Sequence, residues 1–116
     1  GSIVSYSNEI KEEVLGVKSE TLKQHGAVSE ETVQEMLKGA LKNLNVDIAI
    51  AVSGVAGPSG GSSEKPVGCV DIGIANQNKS KINRLQFTQN RERNIQLSAI
   101  TALVMLKKFL LEEYVN

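Results

Sequence analysis

From Val46 to Val52 every residue but Asp47 is apolar, and the chain then enters Ser53-Gly54-Val55-Ala56-Gly57-Pro58-Ser59-Gly60-Gly61. This junction constrains the fold more than any other stretch. In an extended segment Ile48, Ile50 and Val52 point one way, and Ala49 and Ala51 the other. Both faces are therefore apolar, the pattern of a central strand covered on both sides in a layered α/β sheet. Five of the ten glycines fall between Gly54 and Gly68. Glycine permits positive φ and close approach of backbone to a ligand. A glycine-rich loop directly after a buried strand is where open α/β sheets commonly bind ligands. The alternative is a plain flexible connection, but long loops without structure of their own are uncommon in compact domains and are often functional.

The rest of the chain alternates helical and strand patterns. Ser2 to Ser7 is short and β-favouring and reads as a strand. Asn8 suits the N-cap of a helix over Glu9–Leu15 that ends at Gly16. Ser19 suits the cap of a second short helix, Glu20–Gln24, that ends near Gly26. The clearest helix runs from Glu30 to Leu44. Ser29 is its N-cap, Glu30 and Glu31 sit at the positive end of the helix dipole, and Asn45 ends it. Val33, Met36, Leu37, Ala40, Leu41 and Leu44 form its apolar stripe. Val67–Ala75 reads as a largely buried strand, and Ser80–Thr88 as a more polar, edge-type strand in a hairpin with it. A last helix runs from Arg91 to Tyr114 behind Asn90. It is apolar on most faces, so one face covers the sheet and the surplus calls for a second contact, such as a partner subunit.

Composition bounds the function classes. The 116 residues make one domain with a modest core. Thirteen basic residues balance thirteen acidic ones, so no whole-molecule field draws nucleic acid. The only cysteine, Cys69, lies in an apolar run and forms no internal disulfide, which fits a reducing cytoplasm. The only histidine, His25, has no obvious partner. No metal-ligand spacing is present. No apolar run is expected to be long enough to cross a membrane.

Three groups of residues can carry chemistry. On a strand Tyr6 and Asn8 share a face, and Lys11 follows in the first turn of the next helix. A cation at that helix end is disfavoured, and desolvation would lower the amine's pKa further, which makes a lysine usable as a general base. A solvated surface lysine is the plainer reading of the same spacing. Arg91 and Arg93 open the last helix, where free backbone N–H groups bind anions and an arginine completes a phosphate or carboxylate site. Screening by Glu92 and solvent is the alternative there. Ser53 stands where a strand meets the glycine loop, and its hydroxyl with the following N–H groups can hold a phosphate or an oxyanion. The loop is not a Walker A sequence, because Lys65 follows Glu64 without the G-K-[ST] order. It is not G-x-S-x-G either, because Ala51 and Val55 occupy the glycine positions.

Several blocks taken in order resemble the C-terminal domain of the CinA family, also called competence/damage-inducible protein or nicotinamide mononucleotide amidase. They are Val4-Ser5-Tyr6-Ser7-Asn8-Glu9-Ile10-Lys11, His25-Gly26-Ala27-Val28-Ser29-Glu30-Glu31-Thr32, Ala51-Val52-Ser53-Gly54-Val55-Ala56-Gly57-Pro58, Lys65-Pro66-Val67-Gly68, and Asn90-Arg91-Glu92 before the long apolar helix. The resemblance covers essentially the whole chain. It implies an α/β fold, a three-layer α/β/α sandwich with a mixed sheet, over residues 1–116. It implies hydrolysis of the carboxamide of nicotinamide mononucleotide to nicotinate mononucleotide and ammonia by a serine nucleophile and a lysine base, in the cytoplasm, without metal or cofactor. Lys11 matches the family's lysine and Tyr6 a tyrosine beside it. Asn8, Ser53, Gly54, Gly57 and Arg91 fall at substrate-binding positions, with Ser53 in place of a usual threonine. The implied partner is a small-molecule nucleotide. The balanced charge and the lack of a long apolar run add the expectation of no nucleic acid and no membrane, and the apolar excess of the last helix that of a homo-oligomer through it.

The family's serine lies in an Ala-Glu-Ser-Cys-Thr-Gly-Gly-like motif upstream of the Tyr-Ser-Asn block. This chain begins at that block, so the nucleophile-bearing segment is expected to be missing and the chain by itself inactive. The alternative is a nucleotide-binding or regulatory module without catalysis.

Overall fold

The computed structural model describes residues 1–114. Its elements are α1 (Asn8–Glu13), α2 (Ser19–His25), α3 (Glu30–Leu44), β1 (Ala49–Gly54), β2 (Cys69–Ala75), β3 (Ser80–Gln86) and α4 (Arg91–Tyr114). The strands form one sheet in the order β1-β2-β3. Pairing is antiparallel throughout, with Ser53 opposite Asp71 and Asp71 opposite Arg84.

The sheet is sandwiched between helices, as expected, because alternate residues of each strand face opposite layers. Ala49, Ala51 and Ala75 join Val33, Met36, Leu37 and Leu41 of α3. Val70, Ile72 and Ile74 join Ala102, Met105 and Phe109 of α4. Gly73 lets α3 sit close: a Cβ there would lie 2.8 Å from both Leu37 Cδ1 and Val33 Cγ1.

α3 starts and stops at the expected residues. Ser29 Oγ accepts from Thr32 N at 3.1 Å, and Asn45 closes the helix in the left-handed region at φ 50°. Asn90 caps α4 through Arg93 N at 2.9 Å. The other two caps differ from expectation. Ser7, not Asn8, caps α1, accepting from Ile10 N at 3.2 Å. α2 begins at Ser19 itself behind Lys18, with no side chain capping its first turn. Glu35 of α3 accepts from Lys18 N at 2.7 Å and from Thr21 Oγ1 at 2.6 Å.

Three further expectations are corrected. The segment expected as a strand over Ser2–Ser7 has no regular structure, and the sheet is therefore antiparallel rather than mixed. A strand needs a partner ladder, and a cleft of ~760 Å³ separates Ile3 and Val4 from Ile50 and Val52. β1 is accordingly an edge strand rather than a central one. Its α3 face is buried, while Ile50 and Val52 on the other face are 37% and 42% exposed. Finally, α4 over Arg91–Glu113 is apolar and long enough, by length and composition, to cross a membrane. The charged residues within it hide this from a search for unbroken apolar runs. Its Ala102, Met105 and Phe109 are buried against the sheet, the arrangement of a helix layered on a domain.

Candidate active site

The candidate residues collect at one end of the sheet, where β1 ends, β2 begins and α4 starts. The glycine loop leaves β1 at Gly54 and is closed at its base by Val55 N to Cys69 O at 2.9 Å and Gly68 N to Val55 O at 2.7 Å. Gly57 is buried with φ +95°, and a Cβ there would lie 2.5 Å from Val67 Cγ1. Only glycine satisfies both constraints. The Gly57–Pro58 peptide is cis.

Arg91 opens α4 and turns back over this loop. Its Nη1 donates to Gly57 O at 3.1 Å, and its Nη2 donates to Tyr6 Oη at 3.3 Å. Tyr6 is otherwise largely exposed. Lys11 is buried at 6% exposure and donates from Nζ to Ser5 O at 2.5 Å. Desolvation lowers its pKa from the ordinary lysine value. Tyr6, Gly57 and Arg91 are thus joined directly, with Lys11 fixed to the carbonyl just before Tyr6.

The remaining sequence candidates stand differently. Asn8 is exposed at the first position of α1 and does not share a strand face with Tyr6. Ser53 is buried at 8% exposure, and its hydroxyl donates to Ala27 O at 2.7 Å. No hydrogen bond joins Ser53 to Lys11 among the described residues, since each donates to a backbone carbonyl of its own. Arg93 is exposed, and His25 ends α2 with Nδ1 3.6 Å from Glu31 Oε2. Among the described residues no group of three or more His, Cys, Asp or Glu could hold a metal ion.

Sequence reasoning missed two polar centres. Asn94 is 1% exposed and its side chain makes four hydrogen bonds. Its Oδ1 accepts from Thr88 N and Thr88 Oγ1, both at 2.8 Å. Its Nδ2 donates to Thr88 O and to Ala56 O of the glycine loop, both at 2.9 Å. The readable signal was an amide at helical spacing with the buried Ala102, Met105 and Phe109. The second centre is Asp71, 1% exposed. It accepts from Arg84 Nε at 2.7 Å and Arg84 Nη2 at 2.8 Å. This bidentate pairing raises the Arg84 pKa further above its ordinary value. An acid inside the apolar run Val70-Asp71-Ile72 was the signal for it.

The motif geometry is matched by sequence. The CinA C-terminal domain family matches residues 1–110. The chain belongs to that family. Among its relatives is a CinA-like protein of Thermotoga neapolitana, 49% identical over 112 residues. That match takes in 97% of this chain and 27% of the relative. A CinA superfamily protein from Klebsiella pneumoniae has a solved structure that superposes with a TM-score of 0.90 at 39% identity. It covers 94% of this chain and 68% of that one. The competence/damage-inducible protein CihA of Agrobacterium tumefaciens gives 0.86, also at 39% identity, over 89% of this chain and 64% of its own. The CinA chain described here therefore spans about a quarter of the length of its curated relatives and about two thirds of these solved ones.

Proposed function

We propose that this domain belongs to an amidohydrolase that converts the carboxamide of nicotinamide mononucleotide to nicotinate mononucleotide and ammonia. The observation that carries the reading is the buried, desolvated amine of Lys11 next to the linked Tyr6–Arg91–Gly57 group, in a chain of the CinA family. A lysine of lowered pKa is neutral more often near neutral pH and is then free to accept a proton. In the proposed reaction a serine hydroxyl attacks the amide carbon and Lys11 takes the hydroxyl proton. The tetrahedral oxyanion is held by backbone N–H groups, the C–N bond breaks, and Lys11 returns the proton to the leaving ammonia. Water then cleaves the acyl-serine. Tyr6 lies beside the base, and Arg91 with Gly54, Gly57 and Asn8 binds the nucleotide.

The nucleophile is proposed to lie upstream of the residues described here, since Ser53 is already bound to Ala27 O. The cleft between Ile3–Val4 and the free edge of β1 has room for an added strand. The working enzyme is cytoplasmic, needs no metal or cofactor, and associates through α4. The test is ammonia release from nicotinamide mononucleotide by this chain and by a chain extended with the upstream serine segment. Turnover is expected only in the extended protein, and Lys11→Ala abolishes it. Turnover by the short chain would overturn the assignment of the nucleophile, and none in either would overturn the activity.

The occupied hydroxyl of Ser53 favours one other reading, a nucleotide-binding module without catalysis. Calorimetry that finds binding without turnover in the extended chain would select it.

A further inference from the structure

The loop from His25 to Val28, between α2 and α3, presents four consecutive carbonyls, and a side chain donates to each. Lys65 Nζ holds His25 O. Ser29 Oγ and Thr32 Oγ1 hold Gly26 O at 2.9 and 2.7 Å. Ser53 Oγ holds Ala27 O at 2.7 Å. Arg84 Nη2, fixed by Asp71, reaches Val28 O at 3.4 Å. Short surface connections normally leave such carbonyls to water, so this one is unusually well fixed by protein donors.

Two of those donors sit at the two ends of the glycine loop. Ser53 immediately precedes Gly54, and Lys65 immediately precedes Pro66. Their acceptors are only two residues apart, at Ala27 and His25. Lys65 is itself set by a local turn, since Ser62 N donates to Lys65 O at 3.0 Å and Lys65 N to Ser62 Oγ at 3.1 Å. Between these ends Asn94 and Arg91 hold Ala56 O and Gly57 O.

We propose that Ser53 and Lys65 are positioning residues that anchor both ends of the glycine loop to the His25–Val28 loop, so that the loop is set before any ligand arrives. The proposal rests on the reading that this loop borders the substrate. A loop ordered in advance does not lose that freedom on binding, which favours affinity. Ser53 then acts through the loop rather than by touching substrate. Lys65 gains a role that its position outside a Walker A sequence leaves open. The Asp71–Arg84 pair supports the same platform from the sheet, fixing its last carbonyl.

Amide hydrogen exchange, read by mass spectrometry on the whole chain, tests this. Lys65→Met keeps the aliphatic stem and removes the donor. It is expected to raise exchange in 25–28 and 54–65 by about tenfold while α3 and β2 keep theirs, as a local opening does. Lys65→Arg is expected to restore protection. Ser53→Ala is expected to loosen the same two segments, and Ser53→Thr to restore them. Unchanged exchange in both segments, or a uniform rise across the chain, overturns the proposal. The measurement needs no ligand. A parent chain whose calorimetry with nicotinamide mononucleotide shows no binding would count against the amidase reading alone, and the anchors would still be judged by exchange.

Discussion

Lys11 carries a pH dependence whose sign follows from its burial. Desolvation lowers its folded pKa below the ordinary 10.5, so between the lowered value and 10.5 the folded chain binds fewer protons than the unfolded chain. Stability contributed through Lys11 therefore rises with pH across that window and is flat above it. Lys11→Met removes the titrating group. Urea midpoints of parent and variant over a pH series are expected to shift in the parent's favour as pH rises towards 10.5. A difference that does not change with pH would rule this out. Asn94 makes a second prediction. Asn94→Ala strips the partners of Thr88 N and Ala56 O at a buried position. It is expected to lower stability by about 2–4 kcal/mol, from unsatisfied buried groups together with a small cavity. A loss under about 0.5 kcal/mol, the ordinary range for a surface change, would show that the network carries little. Both residues show what a linear reading can reach. Lys11 stands out in the sequence as a lysine within the helix that follows a strand-like block, but its hydrogen bond to Ser5 O arises from how the chain folds back. Asn94 does not stand out, because an asparagine near a helix start reads as polar surface until the opposite layer is known.

At the scale of elements, the antiparallel β1-β2-β3 sheet brings Ser53, Asp71 and Arg84 into one row across the strands. Asp71 is buried and Arg84 half exposed, so the pair is only partly desolvated. Arg84→Met strands a buried carboxylate and is expected to cost about 2–3 kcal/mol, the lower end for broken buried pairs because the arginine still meets solvent. Asp71→Leu combined with Arg84→Met removes both charges and is expected to recover most of that loss. Denaturation midpoints of the two single variants and the double variant measure the coupling, and purely additive losses would exclude it. The boundaries of α3 and α4 were legible because caps and periodicity are local properties. The starts of α1 and α2 were not, since Ser7 caps α1 in place of Asn8, and α2 starts uncapped where Glu35 of α3 holds Lys18 N. Glu35 lies on another helix, and no local pattern announces a donor set that only packing brings within reach. β1 was misplaced for the same reason. Its apolar alternation is real, but whether a neighbour covers Ile50 and Val52 is a property of the layers.

For the whole molecule, the outward apolar side chains of α4 are the clearest unsettled surface. Ile100, Leu103, Val104 and Leu111 are each between 47% and 63% exposed. A contiguous exposed apolar face marks an interaction surface. Sedimentation of the chain is expected to show self-association, and Leu103→Glu is expected to return the monomer without changing the circular dichroism. A parent that stays monomeric at all concentrations would dismiss association through α4. The sequence by itself determined the family, the two long helices with their caps, the β2–β3 hairpin and the sandwich of helices around a sheet. These follow from short-range rules, namely side-chain periodicity, capping and turn chemistry, and from an ordered set of motif blocks. It also placed Lys11, Tyr6, Gly57 and Arg91 among the candidates. Only the tertiary structure decided that Arg91 links Gly57 to Tyr6, that Ser53 spends its proton on Ala27 O, and that Asn94, Asp71 and Arg84 stand behind the site. Those contacts join residues far apart in the chain, and such pairings are set by which faces the core brings together rather than by anything in the neighbouring sequence.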